Sequence, residues 1–253
     1  MNRFNSNDNE TNQMNIILFR KKELDQPVSI HDNRIRHVRK ILNCKPGDKF
    51  DIGIINGVKG EAWIEKIQEN QVILDYTLED KIQDQLYPIT LLIGHSRPQS
   101  IKKILREVTA LGVSKIIITG TDTGEKSYFQ SSIWKDNKIQ KYLIEGAQQA
   151  HSTLLPVLKK YDTLKKGLLH LSETPNKFAL DNIRGYERLS ALNIEYERQI
   201  ILAVGSERGW SDRERELLQK QAFSLNKLGE RILRSETAAV AATTIMLTKL
   251  NLM

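Results

Sequence analysis

Cysteine is almost absent: Cys44 is the single one in 253 residues. No disulfide can therefore form within the chain, which fits a reducing compartment. Long apolar runs are missing too. Nothing approaches the ~20 residues that a membrane helix needs, and the N-terminus lacks the apolar core of a secretory signal. A soluble, cytoplasmic protein with no membrane partner is expected. Histidines number five, at positions 31, 37, 95, 151 and 170. They lack ligand spacing with one another, and a lone cysteine adds nothing, so no metal is expected. No G-x-G-x-x-G occurs, so the usual dinucleotide fold finds no support. Acids are the scarcer charge, 31 against 38 Lys and Arg, for a formal charge of +7. That balance favours a polyanionic partner, through phosphate contacts and counterion release.

Hydrophobic residues make up 40% of the chain, enough for a sizeable core in one large domain or two ordinary ones. Texture divides it. Residues 1–13 are rich in Asn and polar side chains, a composition that cannot offset its ordering entropy, so a disordered tail is expected. From Met14 to about residue 85 short strand-like runs follow: Ile16–Phe19, Lys49–Ile55, Gly60–Ile67 and Gln71–Leu74. Pro46-Gly47-Asp48, Asn56-Gly57 and Glu69-Asn70 separate them. Asn-Gly predicts a tight hairpin with positive φ at both central positions. Short strands with tight turns suggest a small barrel. His31–Leu42 reads as a helix with Ile35, Val38, Ile41 and Leu42 on one face. Between Arg20 and Lys49 nine basic residues stand against four acids. This is either a solvated helix face or an RNA-facing surface, with Arg34, Arg36, Arg39 and Lys40 as candidate phosphate contacts.

Residues 79–87 are polar and read as a linker. Residues 86–253 are read as a second, α/β domain. Ile89–Gly94 is an apolar strand, and Ser100 can cap a helix carrying Ile101, Ile104, Leu105, Val108 and Leu111 in a stripe. Gly112 ends that helix and Lys115–Thr119 forms the next strand, a βαβ unit that implies a parallel sheet. A helix over Lys135–Ala150, strands near Val157, at Lys177–Leu180 and at Gln199–Val204, a helix over Asp212–Gln221 and an Ala-rich helix from about Glu236 to Leu250 complete the reading. Ser211 with Glu214 makes a capping box.

Two segments carry candidate chemistry. The strand ending at Val204 runs into Gly205-Ser206-Glu207-Arg208-Gly209, where glycines allow backbone to approach a ligand. From Leu225 the sequence LNKLGERILRSETAAVAA sets Arg231, Arg234 and Glu236 among apolar Leu228, Ile232 and Leu233. That mixture suggests a partly buried polar site, or a surface loop with ion pairs. GTDTGEKS at Gly120 has the look of a phosphate loop. It has three residues between its glycines instead of four, and Glu125 stands where phosphate would be repelled.

These motifs resemble those of the bacterial ribosomal RNA uracil-N3 methyltransferases, the RsmE family. The resemblance runs from Met14 to the end. LGERILRSETAAVAA at Leu228 is similar to the family's L-G-x-R-I-L-R-x-E-T-A. AVGSERGWSDRE at Ala203 is similar to I-G-P-E-G-G-F-S-x-x-E. REVTALGVSKIIIT at Arg106 and RHVRKILNCKPGDKF at Arg36 match more loosely. The resemblance implies an α/β trefoil-knot (SPOUT) methyltransferase domain behind a PUA-like RNA-binding β-barrel. It implies S-adenosyl-L-methionine as cofactor, ribosomal RNA of the small subunit as substrate, and a homodimer. It assigns the cofactor to Leu180, Val204, Gly205, Glu207, Gly209, Leu228, Gly229, Ile232 and Leu233. Arg234, Glu236 and Arg231 become the candidate catalytic residues, with Glu207 available to hold either arginine. Departures are Ser206 for the family's proline, Arg208 for its second glycine, and Gln148-Gln149-Ala150-His151-Ser152 for E-Q-S-G-R. If the second glycine needs positive φ, Arg208 is strained. Two alternatives stay open: the same fold acting on another RNA position, and a non-catalytic RNA-binding or assembly protein.

Overall fold

The computed structural model describes residues 15–135, 138–194 and 199–253; the expected tail, residues 1–13, lies outside them. Two compact units result. One comprises the described residues up to Gln83 together with His151–Thr153, and the other Asp84–Ala150 and Leu154–Met253.

The first unit contains β1 (Ile17–Phe19), α1 (Lys21–Leu24), β2 (Val28–Ser29), α2 (Asn33–Lys40), β3 (Lys49–Ile54), β4 (Lys59–Ile67) and β5 (Gln71–Leu78). Its five-stranded sheet has the order β1-β3-β4-β5-β2. Alternation explains the strands: Phe50 and Ile52, Ala62 and Ile64, and Val72 and Leu74 are buried, each pair two residues apart on one face. Ile35 and Val38, three apart on α2, close the same core. The β3–β4 hairpin forms, but Asn56 alone of its two central residues has positive φ, at 57°. The turn is wider than the two-residue form: Gly57 donates to the carbonyl of Ile54, and Ile54 to that of Val58.

Asp32 caps α2 by accepting from the Arg34 amide at 2.8 Å. The Arg34 side chain is absorbed by the unit itself. It pairs with Glu23 at 2.7 Å and Asp32 at 2.8 Å and lies 4.4 Å from the Phe19 ring centroid. Arg36, Arg39 and Lys40 are exposed. Burial works to raise the pKa of Glu23 and Asp32, and the hydrogen bonds and charge of Arg34 outweigh it, so both titrate below the ordinary carboxylate range. Arg34→Ala is expected to cost about 1–3 kcal/mol near neutral pH. With lowered folded pKa values this contribution is present above the unfolded values of about 4. It is lost as pH falls through the lower folded values. Thermal melts of wild type and variant should therefore converge in acid, and equal melting at neutral pH would contradict the assignment.

His151 sits at φ 51°, where the resemblance places a glycine. Its Nε2 lies 3.0 Å from Asp51 Oδ2, a contact that offsets part of the cost of about 1–2 kcal/mol for a left-handed residue.

The second unit is built on a seven-stranded parallel sheet. Its strands are β6 (Tyr87–Gly94), β7 (Val113–Thr119), β8 (Val157–Tyr161), β9 (Lys177–Leu180), β10 (Glu187–Arg188), β11 (Ile200–Val204) and β12 (Ser224–Lys227). Their order is β10-β12-β9-β11-β6-β7-β8. Central strands covered on both sides read as continuous apolar runs: Ile200–Val204 is buried throughout. The helices are α3 (Pro98–Ala110), α4 (Lys126–Phe129), α5 (Gln140–Gln149), α6 (Leu164–Leu168), α7 (Asp212–Lys220) and α8 (Ser235–Lys249). Beginning at Pro98, α3 starts two residues before the expected Ser100 cap, with proline in its first turn. The Ser211–Glu214 capping box of α7 forms. Helix α5 starts at Gln140, later than the expected Lys135. After β12 the chain returns through residues 228–234 to α8, which packs on α3 and β11. The buried residues Ala239, Ala242 and Thr243 keep that approach close.

Candidate active site

A cavity of about 590 Å³ opens where β9, β11 and β12 end. Crevices at the carboxyl ends of parallel strands are the usual ligand sites of such sheets, and the volume lies in the common range for small ligands. Three loops form its walls: residues 180–183 after β9, 204–209 after β11 and 226–235 after β12. All nine residues assigned to the cofactor line it, as do Arg231, Arg234 and Glu236. Both glycines of the two motifs, Gly205 and Gly229, face this one space.

The second loop is a tight turn. Gly209 donates to the carbonyl of Ser206 at 2.9 Å and takes φ 69°. Arg208 is not among the positive-φ residues, so an arginine fits there without backbone strain. Glycine is needed elsewhere: a Cβ on Gly94 would lie 2.6 Å from the Ser206 amide nitrogen, and one on Gly205 2.9 Å from Gly209 backbone. The loop from β7 braces the turn from behind. Thr123 Oγ1 donates to the carbonyl of Gly209 at 2.9 Å and lies 3.0 Å from Ser206 Oγ. Thus GTDTGEKS, the poor phosphate loop, buttresses the glycine turn.

Among the described residues Glu207 holds no arginine side chain. Its carboxylate accepts from the Arg97 amide at 2.7 Å and so caps α3 in place of Ser100. Among the described residues Arg97, Arg208, Arg231 and Arg234, all exposed on the cavity lining, meet no carboxylate. Glu236, with its side chain 14% exposed, lies 3.9 Å from Lys103. Among the described residues the lining therefore carries four guanidinium groups without a carboxylate partner, a cationic surface suited to phosphate.

Below them lies a group that sequence reasoning missed. Arg215 and Asp181, with side chains 5% and 2% exposed, pair at 2.7 Å. Asp181 also accepts from the amides of Ile183 at 2.9 Å and Arg184 at 2.6 Å, and its own amide donates to Asn226. This cluster ties the first loop to α7 and β12. Asn226 is fully buried, lines the cavity, and its Nδ2 finds no acceptor among the described residues. A buried amide donor without a partner is uncommon, and this one belongs to a residue of the cavity wall.

Comparison with known proteins agrees with this geometry. Residues 83–247 match the RNA methyltransferase domain family, and residues 30–75 the RNA methyltransferase PUA domain. The chain is 35% identical to the ribosomal RNA small subunit methyltransferase E of Treponema pallidum, over 92% of this chain and 91% of that protein. It is 32% identical to ribosomal RNA small subunit methyltransferase E 1 of Borreliella burgdorferi, over 94% and 99%. Among solved structures, a ribosomal RNA small subunit methyltransferase E from Neisseria gonorrhoeae, bound to S-adenosyl methionine, superposes with a TM-score of 0.76. That match is 22% identical and covers 93% of this chain and 97% of that one. The fold is thus the α/β trefoil-knot methyltransferase fold with a PUA-like barrel, and the chain belongs to the ribosomal RNA small subunit methyltransferase E family.

Proposed function

We propose that the cavity at the ends of β9, β11 and β12 binds S-adenosyl-L-methionine and that the chain transfers its methyl group to N3 of a uridine in 16S ribosomal RNA. The observation that carries the reading is the convergence of both glycine segments on one cavity whose lining includes Arg231 and Arg234, without a carboxylate partner among the described residues, and the buried Asn226, whose Nδ2 has no acceptor among them. The cavity fits the cofactor in size, and its wall mixes apolar Leu180, Val204, Leu228, Ile232 and Leu233 with the backbone of Gly205, Gly209 and Gly229. These residues and Glu207, on whose loop the turn depends, are its proposed binders. The bound cofactor supplies an electrophilic methyl group.

The chain's own residues must then orient the nucleotide and ease the loss of the N3 proton. A cation beside O2 or O4 stabilises the resulting anion. Arg234 takes that role, Arg231 assists, and Glu236 orients the arginine or accepts the proton. The base has to leave its stack to be reached. Arg36, Arg39 and Lys40 of the barrel, exposed on α2, grip phosphates; Arg34, tied to Glu23 and Asp32, serves that face by holding its fold. RNA affinity should therefore fall steeply with salt, and a flat profile in filter binding would count against the phosphate contacts.

A homodimer in the cytoplasm completes the reading. Ile183 and Ile232 are 73% and 83% exposed beside the cavity, apolar surface that a second protomer would cover. Among the described residues no helix is long and apolar enough to cross a membrane. The test is labelled-methyl transfer to small subunits from cells lacking the activity, followed by mass mapping. Label on a uridine N3 is expected. Label at another position, for which Arg208 and His151 are the motivating departures, would keep the enzyme and replace its target. No transfer at all would remove the catalytic reading.

A further inference from the structure

A second cavity, of about 680 Å³, opens at the other half of the same strand ends. Its lining comes from His95 after β6, Gly120–Asp122 after β7, Asp162–Lys165 after β8 and Phe129 of α4, with Glu214 and Leu217 of α7. No role in the methyl-transfer site uses it. Thr123, between the wall residues Asp122 and Gly124 in sequence, hydrogen-bonds the glycine turn of the first cavity.

Two side chains there have unmet hydrogen-bonding capacity. His95 is 2% exposed, and its Nε2 has no partner of good geometry among the described residues; Thr121 Oγ1 has none either. Burial pushes the His95 pKa down, with the Tyr128 carbonyl acting the other way. The imidazole is therefore neutral at physiological pH, suited to a neutral partner rather than to phosphate. The walls include an aromatic ring held in place: Phe129 meets His95 edge-on at 5.0 Å, and Lys160 Nζ lies 3.9 Å from its centroid. Leu164 and Leu217 add apolar surface. The charged groups divide cleanly. Glu214 is satisfied by the amides of Asp122 and Ser211, and burial pushes its pKa up. Asp122 is paired with Arg213, and Asp162 with Lys166 at 3.2 Å. Lys126 and Lys165, both exposed, meet no carboxylate among the described residues. A ligand matching this lining is flat, neutral and hydrogen-bonding, with an anionic group left outside near two lysines. Those are the properties of a nucleobase on an RNA backbone.

We propose that the cavity formed by His95, Thr121, Phe129 and Leu164 receives an unstacked base of the RNA substrate adjacent to the nucleotide that is methylated, with Lys126 and Lys165 on its phosphates. The inference rests on the RNA-methyltransferase reading and adds to it a second base-recognition site, which fixes register along the RNA.

The experiment uses the full chain with small subunits whose RNA contains 4-thiouridine or 6-thioguanosine. After long-wavelength irradiation, crosslinked peptides are mapped. Crosslinks within residues 120–130 or 162–165 are expected. In parallel, Thr121→Val and Phe129→Ala should each raise KM for subunits about tenfold, as loss of one base contact does, with kcat and cofactor affinity unchanged. A purely structural role would instead lower the melting temperature and kcat. Methyl transfer by the wild type with crosslinks confined elsewhere, or with unchanged KM in both variants, would overturn the proposal and leave the first cavity's function intact. Absence of methyl transfer with crosslinks still at residues 120–130 would overturn the catalytic reading instead.

Discussion

Arg234→Ala is expected to lower kcat by about two to three orders of magnitude, the usual loss when a preorganised charge is removed from a developing anion. Cofactor affinity should stay within about threefold, because an interaction made with the reacting base does not hold the cofactor. The structural basis is specific. Arg234 is the residue immediately before α8, exposed on the cavity lining and free of any carboxylate among the described residues. Its charge is therefore not already neutralised by the protein. Arg234→Lys separates charge from geometry: a compact ammonium retains the cation but not the planar fork, so partial activity is expected. Single-turnover methyl transfer measures both variants. Unchanged turnover in Arg234→Ala would remove the residue from the chemistry.

Arg215→Ala should be the most damaging substitution for stability. The pair with Asp181 is nearly inaccessible to water, and removing one partner leaves the other charge buried, at a cost of about 3–5 kcal/mol. For a domain of this size that corresponds to a fall of about 6–20 °C in melting temperature. Asp181 also organises the amides of Ile183 and Arg184, so the loop after β9 loosens and cofactor affinity falls with stability. Scanning calorimetry with and without cofactor reads both effects. A variant that melts with the wild type would show that the pair contributes nothing. Arg215→Met, which removes the charge but keeps most of the volume, should fare no better, since Asp181 is stranded in either case.

Much of this site was legible in the sequence because its signals are local. A glycine turn after an apolar strand, and arginines interleaved with apolar residues ahead of an Ala-rich helix, survive any tertiary context. The nine residues that the family resemblance assigns to the cofactor and the three catalytic candidates all line one cavity. What the sequence concealed depends on long-range partners. Glu207 looked free to hold an arginine side chain, yet it caps α3, 110 residues away. Arg34 read as one more cation on a basic helix, yet two carboxylates and a ring absorb it. The strand β12 was missed because its four residues, Ser224–Lys227, bury two neighbours, Leu225 and Asn226, and so show no alternation that would set them apart from a loop. Its Asn226 nonetheless supplies the orphaned donor. Asp181 and Arg215 gave no pattern, since they stand 34 positions apart. The second cavity was hidden in the same way: nothing local announces that His95 and residues 162–165 meet the GTDTGEKS segment.

The central claim is that the cavity at the ends of β9, β11 and β12 holds S-adenosylmethionine. Calorimetric titration of the full chain with that cofactor tests it most directly, wild type against Gly205→Val, whose added carbon would lie 2.9 Å from Gly209 backbone. One site per chain is predicted for the wild type, with loss of at least about tenfold in affinity for the variant. No binding heat at about millimolar cofactor, a level that detects even affinities of about −4 kcal/mol, or equal binding by both proteins, would contradict the account.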